Sequence, residues 1–207
     1  MSTLTLRKIG LDIQRTDIAA FAEIHKAAFP RSLTTRLGDR FLLDYYSRVL
    51  DSPIGIAFLA ERDGEALGFA VGFVDPTAYY SAMRRKKWEV ARSMAKGLLR
   101  RPWLVRAVVT NFLWAGKTEH GGTETCELAS IAVLPKTSGS GLGQALLDVF
   151  VAGAARVGAT RISLTTDAVN NGRVCRFYEK YGFVKGGCIK GRTRPMVQYT
   201  MPIRTSQ

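Results

Sequence analysis

Two glycine-containing stretches carry the residue types best suited to chemistry. In the first, Ser130-Ile131-Ala132-Val133-Leu134-Pro135 runs into Ser138-Gly139-Ser140-Gly141-Leu142-Gly143-Gln144, which opens an apolar helical pattern. A strand that feeds a glycine-rich turn and a helix start aims several uncommitted backbone N–H groups, and the positive end of the helix dipole, at one spot. Such a spot suits a phosphate. Without a Cβ the glycines let the backbone approach closely and adopt positive φ. The dipole contributes only about 0.3–1 kcal/mol, so direct N–H contacts must act with it, and a pyrophosphate satisfies both. Gly139, Gly141 and Gly143 read GxGxG, which lacks a residue of the dinucleotide fingerprint, and no Lys-Ser or Lys-Thr follows to make a P-loop. Taken alone, the loop reads equally well as a tight strand-to-helix turn.

The second stretch is Asn171-Gly172-Arg173-Val174-Cys175-Arg176-Phe177-Tyr178-Glu179-Lys180-Tyr181-Gly182-Phe183. With the glycine loop and Ile131-Ala132-Val133 before it, it resembles the GNAT family of N-acetyltransferases. That family's first motif has the form IAV-x-P followed by [QR]-x-x-G-x-[GA], and its second runs from an Asn to Y-E-K-x-G-F. The resemblance covers roughly residues 127–183. It implies an enzyme that uses acetyl-CoA as co-substrate, needs no metal and acetylates an amine. Ile131, Ala132 and Val133 would present backbone groups to the thioester and pantetheine arm. Gly139, Ser140, Gly141, Leu142, Gly143 and Gln144 would cradle the pyrophosphate, Asn171 would contact the arm, and Tyr178 would lie beside the CoA sulfur. One position departs from the family pattern, because Ser138 stands where a Gln or Arg is usual. The phosphate grip is weaker for it unless Ser140, Lys136 or other basic residues compensate.

Amide formation needs two proton movements. An amine with pKa near 10.4 is protonated at pH 7, and freeing its lone pair costs about 4–5 kcal/mol, so a base or an apolar pocket must help. The resemblance places a carboxylate on the strand entering the cofactor site or on the next one, which makes Glu127 the first choice and Asp167, beside Thr166, the second. A structural role for Glu127 is the competing reading. The departing thiolate needs a proton, and a tyrosine with pKa near 10 holds one at neutral pH, which suits Tyr178; the competing reading is a core tyrosine. His25 lies on an apolar stripe and reads as a satisfied core histidine, and His120 belongs to no motif. Cys126 is near the site in sequence but has no base partner, so no acyl-enzyme is expected.

The elements that must hold these residues follow from hydrophobic periodicity. Thr3–Ile9 reads as a strand, Asp17–Ala28 as a helix with Thr16 as N-cap, and Asp39–Leu50 as a second helix. Ile54–Glu61 and Ala66–Val74 form a hairpin across Arg62-Asp63-Gly64-Glu65. Glu124–Leu134, Ala159–Thr166, Phe183–Ile189 and Met196–Ile203 read as strands, with helices at Leu142–Val157 and Asn171–Tyr181. The order predicts one α/β domain over residues 1–207, with a mixed central sheet flanked by helices. Between the third and fourth strands lies Asp75–Gly122, a basic helical insertion with nine cations against Asp75 and Glu89 up to Arg106, and Pro102 dividing it.

Of 207 residues, 46 % are hydrophobic and 23 % charged, a globular balance without a membrane-spanning run or secretion signal. Three cysteines without a CxxC pair suit reduced thiols, so a cytoplasmic protein is expected. Thirty Lys and Arg against 17 Asp and Glu give a net charge of +13, which favours anionic partners. In GNAT relatives the connection between strands 3 and 4 lies near the acceptor, so the insertion implies an anionic small-molecule or peptide amine such as an amino sugar. Residues 31–38 are similar to a segment of members associated with surface-polysaccharide synthesis. A solvated basic face is the plainer reading. Two other functions fit the charge. Trp88, Trp103 and Trp114 could stack on nucleic-acid bases, although no nucleic-acid-binding motif accompanies them. The basic amphipathic helix could instead rest on an anionic membrane.

Overall fold

A computed structural model describes residues 3–10, 12–114, 123–189 and 194–203. Seven strands form one sheet in the order β1-β2-β3-β4-β5-β7-β6. The strands are β1 (Leu4–Ile9), β2 (Gly55–Arg62), β3 (Glu65–Val74), β4 (Thr125–Val133), β5 (Arg161–Asp167), β6 (Val184–Ile189) and β7 (Met196–Pro202). Between them run α1 (Arg15–Ala28), α2 (Leu33–Leu37), α3 (Asp39–Leu50), α4 (Pro76–Arg85), α5 (Lys87–Arg100), α6 (Val105–Trp114), α7 (Leu142–Arg156) and α8 (Gly172–Tyr181). The mixed α/β sheet expected from the sequence is therefore present, with α4–α6 inserted between β3 and β4.

Strand alternation sends side chains to two cores. Ile56, Phe58 and Ala60 of β2 join Leu146, Leu147, Phe150 and Ala154 of α7 on one face. Ala57 and Leu59 join Phe21 and Ile24 of α1 and Leu42, Tyr46 and Val49 of α3 on the other. The β2–β3 turn has positive φ at both Asp63 and Gly64, the twist-matched geometry that an Asp-Gly pair favours.

The sheet is not continuous across its middle. β4 and β5 run parallel and pair over three positions only, Thr125 with Arg161, Cys126 with Ile162 and Glu127 with Ser163. Beyond Glu127, β4 continues to Val133 against β3 alone. The divergence has a local cause: Gly72 faces Leu128 while Val71 faces Ser130, so Ala129 is an extra residue in β4. A bulge of this kind bends its strand and swings it away from the neighbour.

The insertion folds back on the N-terminal helices. Asp75 caps α4, accepting the Ala78 N–H at 3.0 Å, and Pro76 occupies the first turn, where a missing N–H costs nothing. α5 then crosses α2 so closely that a Cβ on Gly97 would lie 2.3 Å from the Leu37 carbonyl oxygen. Arg101 donates to the Arg36 carbonyl at 2.6 Å. Leu37, Phe41 and Leu104 are buried there with Met94, Leu98 and Val108 packed around them. The inner face of the insertion is thus apolar, whereas Arg84, Arg85, Lys86, Arg92, Arg100, Arg101 and Arg106 are exposed.

Two local expectations need correcting, and one short helix, α2, is not expected from the sequence. α1 starts at Arg15 with Gln14 as its N-cap rather than Thr16, because Asp17 reaches back to accept the Gln14 N–H at 3.1 Å. The five-residue α2 has too few turns to display a period. The basic part of the insertion is two helices broken at Lys86, not one. His120 and residues 115–122 of the insertion lie outside the described residues.

Candidate active site

The glycine loop is built as a phosphate cradle requires. Gly139 and Gly141 have φ of 86° and 84°, a region that side chains disfavour, and Gly141 is the N-cap of α7. Ala145 is the first residue whose N–H reaches back to Gly141, at 3.1 Å. The N–H groups of Leu142, Gly143 and Gln144 are therefore first-turn donors without an intrahelical carbonyl. Ser140 turns its hydroxyl to the Thr137 carbonyl at 2.7 Å, which braces the loop rather than extending its reach. Lys136 pairs with Glu65 on the β2–β3 side.

The cation that the sequence lacks at position 138 comes from α8. The Arg173 guanidinium donates to the Ser138 hydroxyl at 3.0 Å and lies 4.0 Å from where a Gly139 Cβ would be. A short residue at 138 leaves room for a long one at 173, and the charge returns to the loop from another helix. Sequence reading missed this residue, although it sits inside the quoted motif two positions after Asn171. Phe177, also of α8, lies against Gly143, with its ring 3.9 Å from where a Cβ would be.

Asn171 stands at the start of α8 and donates to the Thr166 hydroxyl at 2.7 Å and the Asp167 carbonyl at 3.2 Å, tying α8 to the end of β5. Ile131, Ala132 and Val133 pair through one backbone edge with Ala70, Phe69 and Gly68 of β3. Their other edge borders the gap where β5 has diverged. The glycine loop and this free edge therefore lie on the β4 side of a split in the sheet, and Asn171 on its β5 side.

Tyr178 is 6 % exposed and its ring packs on Phe177, Phe183 and Tyr199. Burial holds its phenol well above its ordinary value, so it is neutral at physiological pH. Glu127 is 7 % exposed and accepts from the Tyr80 hydroxyl at 3.0 Å. Burial, reinforced by the Glu127 carboxylate, raises Tyr80 well above its ordinary value, so Tyr80 stays a donor. Tyr80 reaches this position by tertiary contact across 47 residues, a link that local pattern cannot reveal. Tyr178 belongs to the α7-side core, while Glu127 is the cross-strand neighbour of Phe73 on the α3 side.

The other ionisable groups are otherwise engaged. Asp167 pairs with Arg194 at 2.7 Å. His25 is buried between the Tyr46 hydroxyl at 2.7 Å and the Thr34 hydroxyl at 2.8 Å, and burial lowers it from 6.5 to about 4. Cys126 is buried, and burial followed by the Glu127 charge pushes its thiol up to about 12, which removes it as a thiolate nucleophile. Among the described residues no group of three His, Cys, Asp or Glu side chains could hold a metal, and no helix is long and apolar enough to cross a membrane.

Among the described residues, two of the concavities lie on the α1/α3 side of the sheet. The larger, about 450 Å³, is lined by Arg7, Asp17 and Glu61, which pair with one another, and it shares no residue with the glycine loop or Glu127. The smaller, about 180 Å³, lies between α2, α3 and the insertion and includes Tyr45 and Tyr79.

Comparison with known proteins gives a consistent outcome. The model of the acetyltransferase (GNAT) family matches residues 18–183. No curated protein sequence matches the chain. Among solved structures, an aminoglycoside 6'-acetyltransferase type Ii superposes with a TM-score of 0.64 at 14 % identity, covering 98 % of this chain and 99 % of that one. The ribosomal-protein-S18-alanine N-acetyltransferase of Escherichia coli gives 0.59 at 17 % identity, covering 99 % and 97 %. A spermidine N-acetyltransferase chimera from Vibrio cholerae and a second enzyme gives 0.60 at 16 %, covering 96 % and 95 %. At these identities the likeness is one of fold.

Proposed function

The chain belongs to the GNAT acetyltransferase family, and from that premise we propose that it moves the acetyl group of acetyl-CoA directly to a primary amine, with Glu127 as base and Tyr178 as acid. The observation that carries this reading is the positive-φ glycine loop set against Arg173 and Asn171 beside the unpaired edge of β4. The pyrophosphate takes the loop N–H groups and the Arg173 charge. The pantetheine arm enters the split, where its amides pair with the free edge of residues 131–133 as a strand would. Glu127, directly or through one water, removes a proton from the ammonium. The amine then forms the C–N bond, N–H groups near 131–133 hold the oxyanion, the C–S bond breaks as Tyr178 gives its proton to the thiolate, and the second proton leaving the nitrogen returns through water to the Tyr178 phenolate. The engagement of Asp167 by Arg194 supports Glu127 over Asp167 as the base.

The outward cations of α4–α6 support an acceptor with acidic groups, such as a phosphate-linked amino sugar or an acidic peptide, drawn in by the field. The three cysteines, none of them in a disulfide, support a cytoplasmic setting. The test is calorimetric. Titration with coenzyme A should release heat and raise the melting temperature, and Gly141→Val should abolish both. A well-folded sample that shows neither sinks the reading.

A second role rests on its own observation. Trp88, Leu99 and Trp103 are 78 %, 83 % and 65 % exposed, among Arg85, Lys86, Arg92 and Arg100. Exposed Trp and Leu ringed by cations match the headgroup region of an anionic membrane. Cosedimentation with vesicles containing phosphatidylserine, lost in Trp88→Ser/Leu99→Ser, tests it. Equal binding to single-stranded nucleic acid would point to a nucleic-acid surface instead.

A further inference from the structure

The smaller cavity is walled in part by the insertion. Its wall includes Leu37, Phe41, Tyr45, Tyr79, Val90 and Met94, drawn from α2, α3, α4 and α5. The insertion supplies nearly half of that wall, and the Gly97–Leu37 backbone contact fixes it against α2. One cation, Arg48, is on the rim, and it is paired with Asp44 at 3.0 Å. A volume of about 180 Å³ exceeds the roughly 150 Å³ apolar cavity that accommodates benzene. It therefore holds one aromatic ring or a hydrocarbon chain of similar bulk.

The cavity wall packs against the neighbours of the Glu127 carboxylate, which does not itself line the cavity. The Tyr79 ring stacks on Phe73 with centroids 3.5 Å apart and planes 13° from parallel. Phe73 is the direct cross-strand partner of Glu127. Tyr80, next in the chain, donates to Glu127. Tyr45, another wall residue, is raised to about 12 by burial and then by the Glu127 charge, which reaches it across the cavity wall. One polar feature points to a ligand. Tyr79 is 8 % exposed, and its buried hydroxyl has no hydrogen-bond partner among the described residues. An orphaned buried hydroxyl is costly unless something fills the site and satisfies it.

We infer that this cavity is an acceptor-specificity pocket, and that the natural acceptor is a primary amine borne on a ring-sized apolar group, with the group in the cavity and the amine turned toward Tyr79 and Glu127. The inference rests on the acetyl-transfer reading for its chemistry and adds what that reading leaves open, the body of the acceptor. Acidic groups elsewhere on the acceptor stay outside, against the exposed cations. A hydrophobic pocket of this kind discriminates by bulk, at about tenfold or more for an apolar group gained or lost.

The experiment uses 2-phenylethylamine as the probe, with 2-aminoethanol and glucosamine 6-phosphate beside it, following thiol release from acetyl-CoA. The expected kcat/KM for 2-phenylethylamine exceeds that for 2-aminoethanol by at least about tenfold. Val90→Phe and, separately, Met94→Phe should fill the cavity and collapse that ratio toward one, with coenzyme A calorimetry verifying that each variant is folded. Binding is read independently as a rise in melting temperature with 2-phenylethylamine alone, abolished in Val90→Phe. Equal kcat/KM for the two amines, or a ratio and a thermal shift that both survive filling, overturns the inference. Failure of coenzyme A to bind overturns the acetyl-transfer reading instead, and the thermal shift still decides the pocket.

Discussion

His25 offers a quantitative test of how the acceptor side is held together. Its ring joins α1 to Tyr46 of α3 and to Thr34 at the start of α2, and Leu33, Thr34 and Leu37 of α2 line the small cavity. Burial, with no acid facing the ring, lowers its pKa from 6.5 to about 4. Above pH 6.5 the imidazole is neutral in both folded and unfolded chains and contributes no pH dependence. Between 6.5 and about 4 the unfolded chain takes up a proton that the folded one refuses, so stability falls as pH falls. Each pH unit in that window removes about 1.4 kcal/mol, and the whole window roughly 3 kcal/mol. His25→Gln keeps a donor and an acceptor but cannot be protonated. Urea denaturation at pH 7.5, 6.0 and 5.0 should show the wild type losing about 2 kcal/mol more than the variant between the first and last points. Groups common to both proteins cancel in that difference. Parallel curves would mean that His25 titrates normally and that the α1–α2–α3 junction is open to water.

Four further outcomes follow from the site. Tyr178→Phe should lower kcat by about a hundredfold or more while leaving acetyl-CoA affinity nearly unchanged, read from steady-state kinetics and calorimetry; and because burial raises this phenol, the wild-type profile should show no loss of activity from it up to about pH 10. Glu127→Gln should be most damaging at neutral pH and recover toward pH 10, where the amine is already free, and a constant deficit at every pH would argue for a structural carboxylate. Arg173→Ala should weaken acetyl-CoA binding by about fivefold, the modest effect of an exposed charge, and Ser138→Arg in the same chain should restore it. Gly97→Ala must move the Leu37 carbonyl or the whole of α5, and thermal melts should show a loss of about 1–3 kcal/mol.

What the sequence discloses and what it withholds divide by contact range. β2, β3, α3 and α7 are long enough to display three or more repeats of their period, and their ends are readable to within one residue. The glycine loop is readable because backbone conformation is encoded by the absence of side chains at Gly139 and Gly141. α2 is invisible because five residues make little more than one turn. Thr16 is the stronger capping residue in general and so draws the N-cap of α1 to itself, while in the fold the Asp17 carboxylate and Gln14 close the box. Arg173 reaching Ser138 and Tyr80 reaching Glu127 are beyond local pattern, because each joins residues tens of positions apart. The apolar lining of the insertion is hidden by its charge, which dominates the composition while pointing outward.

The junction between β4 and β5 is only three rungs long, so a ligand lying beyond it would bridge the two parts of the sheet. A ligand seated there, as proposed for acetyl-CoA, would act as a removable structural part, and at a hundred times its dissociation constant it would add about 2.7 kcal/mol to the stability of the chain. In the cell, the lifetime of this enzyme against proteolysis would then track the supply of its own acyl donor, so starvation for acetyl units would reduce the amount of catalyst as well as its rate.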